Sequence, residues 1–149
     1  MRPEHQLPHA PYIVAVVREL TARAIAPGRL WTYGAASPGQ HATRPAVQRL
    51  CALLEWDRSR CTGAGLSWHW SDDVGWRSAR TGRGGRRLVD TTRALGLPLY
   101  ADPAALADVA QALVDGQHTV PDDRAGEWRG AAQVREAVAE FRRMPPSSS

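Results

Sequence analysis

Tryptophan and arginine are concentrated between Cys61 and Arg93, where the sequence reads CTGAGLSWHWSDDVGWRSARTGRGGRRLVDTTR. This stretch contains three of the six tryptophans and six of the nineteen basic residues. Indole rings stack on nucleobases, and guanidinium groups bind phosphates through paired N–H donors. The two residue types together therefore indicate a surface that binds nucleic acid.

Five arginines at short intervals are the candidates for phosphate contacts: Arg77, Arg80, Arg83, Arg86 and Arg87. Glycines beside Arg83 would let the backbone follow a phosphate chain. The alternative is a solvated loop whose arginine content is compositional. The chain has no lysine and much alanine, glycine and proline, which is typical of a coding bias towards G and C.

Before the arginines, the pattern predicts a β-hairpin with one strand at residues 66–70 and the return strand at residues 75–80. A two-residue turn at Asp72-Asp73 would place His69 opposite Trp76 on one face. Leu66, Trp68 and Trp70 would share the other face, which we expect to be the core. His69 and Trp76 are then the candidates for contacts with bases or sugars.

An acid–base or metal site is the alternative use of this hairpin. His69, Asp72 and Asp73 lie at i, i+3 and i+4 across the turn, and a carboxylate-rich set suits Mg²⁺ or Mn²⁺. Two aspartates are also ordinary residues for a turn. A small metal-dependent enzyme is thus the least supported hypothesis, and we predict no catalytic residue, metal or cofactor.

Opposite charges separate along the chain. From Arg77 to Arg93 there are six arginines and one acid, a net charge of 6 − 1 = +5. From Asp102 to Glu127 there are six acids and one arginine, a net charge of 1 − 6 = −5. Opposed basic and acidic faces favour a second hypothesis, a protein-interaction or assembly module, including self-association.

Apolar periodicity predicts an α+β fold that is mostly helical, a single domain of about five helices with one β-hairpin or small antiparallel sheet near residues 66–80. The domain would span residues 11–143, between a flexible N-terminus at 1–10 and a disordered tail at 144–149. A short strand is expected at residues 30–33. The predicted helices cover residues 12–25, 44–56, 86–95, 102–116 and 127–143.

No apolar run is long enough to cross a bilayer, and we see no signal peptide. Cys51 and Cys61 give neither a metal-ligand spacing nor a disulfide framework. We therefore expect a cytoplasmic protein with no membrane partner. Our first hypothesis is a small regulator or accessory factor that binds DNA or RNA.

Overall fold

The computed structural model describes residues 7–36, 48–82, 92–117 and 126–143. These residues form three α-helices and five β-strands. The helices are α1 (Ala10–Ala22), α2 (Pro103–Val114) and α3 (Ala131–Arg143). The strands are β1 (Arg29–Ala36), β2 (Gln48–Trp56), β3 (Gly65–Ser71), β4 (Gly75–Thr81) and β5 (Arg93–Ala94).

The strands form one antiparallel sheet in the order β1-β2-β3-β4-β5. Each strand pairs with the next strand along the chain, so every connection within the sheet is local. Among the described strands, β1 and the two-residue β5 are the edges. Since β5 is short, β1 is the long edge of this sheet.

The prediction of a mostly helical domain with about five helices is wrong. Residues 48–56 of the predicted helix 44–56 form strand β2, and residues 93–94 of the predicted helix 86–95 form strand β5. Within β2 every second residue from Leu50 to Trp56 is buried on one face, which is the period of a strand, and Cys51 is buried on the other face. Residues 44–47 and 86–91 lie outside the described residues.

The other predicted elements are present with shifted ends. Helices α2 and α3 lie within their predicted segments, α1 begins two residues before its predicted segment and ends earlier, and β1 contains the expected strand at residues 30–33. Pro103 begins α2, and Gly116 follows its end with a φ of +82°, a value that favours glycine. The flanking residues 1–6 and 144–149 lie outside the described part of the chain.

The hydrophobic core lies between one face of the sheet and the helices. Its sheet side is dominated by four indole rings, those of Trp56, Trp68, Trp70 and Trp76. Tyr12 of α1 packs against Trp70 and Trp76, with ring centroids 5.9 and 6.3 Å apart. Helix α1 also packs against α2 and α3. We call this side of the sheet the helix face and the other side the outer face.

The hairpin is present, but its pairing differs by one residue from the prediction. Ser71 pairs with Gly75 and Trp70 with Trp76, so three residues form the loop rather than two. Gly75 has a φ of +79°, which favours glycine. The predicted core residues of β3 are buried as expected, but Trp76 joins them there.

None of the helices in the described segments combines the length and the apolar character that crossing a bilayer demands.

Candidate nucleic-acid interface

Four residues form a row across the outer face of the sheet. Trp31 lies opposite Leu53, Leu53 opposite His69, and His69 opposite Arg77, on the consecutive strands β1, β2, β3 and β4. We call Trp31, Leu53, His69 and Arg77 the outer row. Residues directly opposite in antiparallel strands point to the same face, so the register brings these four side chains together.

The two ends of the outer row reach solvent. Trp31 keeps 44% of its surface exposed, and its neighbour on the same face, Tyr33, keeps 37%. Arg77 is exposed at the other end, and His69 is half-buried between them. An aromatic end and a cationic end are therefore accessible on one surface.

A hydrogen bond fixes the position of the imidazole in this row. The hydroxyl of Tyr33 lies 3.2 Å from Nε2 of His69, across β2. Between these two residues, Cys51 is almost fully buried, and burial raises the pKa of its thiol. Cys51 is therefore a packed residue beneath the aromatic ring rather than a reactive thiolate.

A shallow concave site of about 580 Å³ occupies the same face, beside Tyr33, His69 and Arg77. Its lining includes small side chains, four of which are buried: Ser67, Ser71, Ser78 and Ala79. The volume falls within the range of roughly 300–1,000 Å³ that is typical of small-molecule sites. The floor of small residues leaves room for a planar group between the larger side chains.

Two arginines line this concave site, and they differ in their partners. Nε of Arg49 lies 3.0 Å from a carboxylate oxygen of Asp73. Burial opposes ionisation of Asp73, but the hydrogen bond from Ser71 and the charge of Arg49 outweigh it and lower its pKa. No acid among the described residues forms an ion pair with Arg77. Of these two arginines, Arg77 is therefore the one whose positive charge is available to a ligand.

The structure brings together only some of the predicted site residues. His69 and Arg77 are adjacent on the outer face. Trp76 is buried in the core, where its Nε1 donates to the hydroxyl of Tyr12 at 3.0 Å, so its predicted position on the outer face is wrong. The predicted two-residue turn caused this error, since a shift of one residue exchanges the faces of a strand.

The remaining arginines of the prediction do not join this row. Arg80 lies opposite Leu66 and faces the helix side, because it is three positions after Arg77 and side chains alternate between the two faces of a strand. Arg83, Arg86 and Arg87 fall in the segment 83–91, which lies outside the described residues.

Sequence reasoning missed Trp31 and Tyr33 as parts of a site. The signal was present, because the segment Leu30-Trp31-Thr32-Tyr33 places both rings on one face of a strand. What the sequence could not show is that β1 lies two strands away from His69. Strand β2 pairs with β1 on one side and with β3 on the other, and this pairing brings Trp31 and Tyr33 close to His69.

Asp72 and Asp73, the two acidic residues of the hairpin loop, bind other residues of the fold. Asp72 accepts a hydrogen bond from the backbone N–H of Leu50 and forms an ion pair with Arg142. Asp73 forms an ion pair with Arg49 and accepts a hydrogen bond from the hydroxyl of Ser71. Within the described segments, no group of three or more histidine, cysteine or acidic residues could hold a metal ion.

Two acids of the segment from Asp102 to Glu127 also have partners within the fold. Asp108 of α2 pairs with Arg23, directly after α1, and Glu127 pairs with Arg135 of α3. The first ion pair links the end of α1 to α2, and the second links α3 to the segment before it. Asp122 and Asp123, the acidic pair in this segment, lie outside the described residues.

Comparisons with protein-family models, with curated proteins and with solved structures found no match for this chain. The functional argument therefore depends on the geometry of the outer face.

Proposed function

We propose that this protein binds single-stranded nucleic acid on the outer face of its sheet. The observation that carries the proposal is the outer row, in which an exposed indole and an exposed guanidinium lie at the two ends of one line of side chains. In this role the protein would be a regulator or accessory factor rather than an enzyme.

The dimensions of the row suit a strand that lies across the sheet. Neighbouring strands are about 4.8 Å apart, so the three steps from Trp31 to Arg77 span roughly 14 Å. A base stacked on an aromatic side chain contributes about 1–3 kcal/mol. A phosphate further along the strand can then reach Arg77, which binds it through two N–H donors.

Single strands fit this surface better than duplexes. Stacking needs the flat face of a base, and in a duplex that face is covered by the neighbouring base pairs. Trp31 and Tyr33 lie on a sheet, and neither is carried by a helix that could enter a major groove. We therefore expect weak binding to duplex DNA.

The segment 83–91 connects β4 to β5 and contains Arg83, Arg86 and Arg87. We propose that these arginines add phosphate contacts to those of Arg77. They retain the role predicted for them from the sequence, and their replacement by alanine should weaken binding for every sequence tested.

We also propose a cytoplasmic location. Both cysteines are free thiols, Cys51 buried and Cys61 partly buried, which suits a reducing compartment.

The test is fluorescence anisotropy with labelled single- and double-stranded DNA and RNA, at about 50 and 200 mM salt, a range over which phosphate contacts lose affinity. Arg77→Ala should weaken binding and reduce the salt slope by about 1. Trp31→Leu, which keeps apolar bulk but removes the flat ring, should weaken binding by about 5- to 150-fold at both salt concentrations, as expected for one lost stacked base.

Arg18→Ala is the matched control, because Arg18 is equally charged and exposed but lies on α1, away from the outer face. Equal effects of Arg77→Ala and Arg18→Ala would mean that only net charge matters. No binding to any single strand at the lower salt concentration would reject the proposed function.

A further inference from the structure

Strand β1 is the long edge of the described sheet. It pairs with β2 on one side, and no described strand pairs with its other side. Proteins usually protect such edges with proline, lysine, inward-pointing charges or bulges. The strand reads RLWTYGAA, with a single charge at Arg29 and none of these devices after it.

Apolar side chains are exposed on both faces of this edge. Leu30 keeps 42% of its surface accessible on the helix face, although it is directly opposite the buried Leu54. Trp31 keeps 44% on the outer face. Thr32, which shares the helix face with Leu30, is exposed as well, so the described helices leave this part of β1 uncovered. An edge that is apolar above and below can bury both surfaces by pairing with another strand.

We infer that β1 pairs antiparallel with β1 of a second copy of this chain. The two-fold axis of such a pair is perpendicular to the sheet, so the outer faces of both copies point the same way. Residues that face outwards must then lie opposite residues that face outwards. The allowed registers therefore place odd positions opposite odd positions and even positions opposite even positions.

Among the registers allowed, the one centred on Thr32 fits the side chains best. Thr32 meets its own counterpart, which is a favourable cross-strand pair. Trp31 meets Tyr33 of the second copy, an aromatic pair on the outer face, and Leu30 meets Gly34, which leaves room for its side chain. The two copies of Arg29 lie at opposite ends, so no like charges meet.

This self-complementarity favours a second copy over a foreign strand. A strand from another protein would need side chains that match both the apolar and the small positions of β1, whereas the two-fold axis supplies them from the same sequence. The pairing would also join the two outer rows through four aromatic rings, with Arg77 at each distant end.

The first experiment measures molar mass by sedimentation equilibrium over a range of protein concentrations. We expect the wild type to form a dimer and Thr32→Lys to be monomeric, because two lysines would meet at the two-fold axis. Val14→Lys is the matched control, since Val14 is exposed like Thr32 but lies on α1. It should leave the dimer intact.

The second experiment tests the register without a change of charge. Thr32→Cys should form an intermolecular disulfide under mild oxidation, because the two Cα atoms at the axis would be about 4.5–5.5 Å apart. Leu30→Cys should not, since its counterpart in the second copy lies several residues away along the strand. The wild type sets the background from Cys51 and Cys61.

A monomeric wild type would overturn the inference and leave β1 as an edge for a different partner. The inference would also be overturned if the Thr32→Lys variant remained dimeric, or if Val14→Lys dissociated the dimer as much as Thr32→Lys does. Far-UV circular dichroism shows whether Thr32→Lys is folded, and the disulfide test stands if it is not. The inference does not rest on the proposed function, since a dimer that binds no nucleic acid would still support it.

Discussion

His9 precedes α1 and is fully buried, although the sequence places it in a segment expected to be loose. Its Nε2 lies 2.8 Å from the carbonyl oxygen of Cys51, so this nitrogen must carry the proton and donate it. Its ring stacks on Trp70 with centroids 5.4 Å apart. Nδ1 is buried and has no hydrogen-bond partner in the described residues. The neutral imidazole is the form that fits here.

This environment makes stability depend on pH. Burial lowers the pKa of His9, against the opposing effects of the Cys51 hydrogen bond and the Asp72 carboxylate. The folded protein therefore binds the proton less tightly than the unfolded chain, in which the pKa is about 6.5. The stabilisation is complete above that pH and is lost as the pH falls towards the folded pKa.

We predict that His9→Gln reduces this acid sensitivity. The glutamine amide can donate to the Cys51 carbonyl but does not titrate in this range. Thermal unfolding at about pH 7.5 and about pH 5.5, on either side of the unfolded pKa, should show a smaller loss of Tm for the variant than for the wild type. Equal losses would show that other groups control the acid response.

Residue types were easier to predict than residue positions. The sequence identifies Trp68 and Trp70 as core residues because they alternate with polar residues in one strand. The face on which Trp76 lies depends on the length of the turn before it. One additional loop residue moves its side chain from the outer face to the core. No propensity argument separates two residues from three in the sequence Asp72-Asp73-Val74.

At the scale of elements, Asp72 connects the hairpin to a neighbouring strand and a helix. Its backbone N–H donates to the carbonyl of Leu50, and its carboxylate accepts from the N–H of Leu50, both at 3.0 Å. The second carboxylate oxygen pairs with Arg142 of α3. The Asp72 side chain is only 5% exposed, so β2, the β3–β4 loop and α3 meet at a carboxylate that water hardly reaches.

We predict that Asp72→Ala destabilises the protein by about 1–3 kcal/mol, because it leaves the Leu50 N–H without its acceptor. Asp72→Asn should have a smaller effect, since the amide oxygen can still accept that bond. Arg142→Ala should cost less than Asp72→Ala, because the Leu50 N–H keeps its acceptor and removal of the arginine side chain lets water reach the carboxylate. Urea unfolding of the three variants gives the comparison.

The order of the three effects is the critical result. If Arg142→Ala matched Asp72→Ala, the ion pair rather than the backbone hydrogen bond would join these elements. Asp73→Ala is the control for the loop itself, because Asp73 is adjacent but nearly half exposed. It should have a smaller effect than Asp72→Ala.

Strand β2 shows why the fold class was mispredicted. The residues Leu50, Cys51 and Leu54 have the spacing of a helix face, and leucine and alanine favour helices. The same segment also has an apolar residue at every second position from Leu50 to Trp56, the period of one strand face. Both periods fit nine residues, and the sheet decides between them, since β1 and β3 pair with β2 on its two sides. That tertiary choice is not encoded in local sequence.

On the scale of the whole molecule, Tyr12 connects the layers. Its hydroxyl donates to the carbonyl of Ala101 at 2.8 Å and accepts from Nε1 of Trp76 at 3.0 Å. Its ring lies within 5.5 Å of those of Tyr100 and Trp128, which precede α2 and α3. Burial raises the pKa of Tyr12, so the hydroxyl stays protonated and able to donate.

We predict that Tyr12→Phe lowers the free energy of unfolding by about 1–3 kcal/mol, because Trp76 N–H and the Ala101 carbonyl lose their partner in the core. Since Tyr12 contacts both the sheet and the segments before α2 and α3, sheet and helices should unfold together. Far-UV and near-UV circular dichroism should report one coincident transition in urea, shifted by the same amount.

Tyr100→Phe is the matched control, since Tyr100 is equally aromatic and buried but its hydroxyl has no hydrogen-bond partner in the described residues. It should change stability less than Tyr12→Phe. Two separate transitions would show that the helices and the sheet are not one cooperative unit.

The positions of the indoles make this protein its own optical probe. Trp56, Trp68, Trp70 and Trp76 are enclosed in the core, whereas Trp31 stands in water on β1. An indole in water emits at longer wavelengths than a buried one, and a dissolved quencher such as acrylamide reaches it first. Trp128, the sixth indole, is partly buried, so the long-wavelength, quenchable part of the emission should come mainly from Trp31 with a smaller share from Trp128. Any molecule that covers β1, whether a base or another strand, should shift the Trp31 emission to shorter wavelengths and reduce its quenching by acrylamide. Neither measurement needs an added fluorescent label.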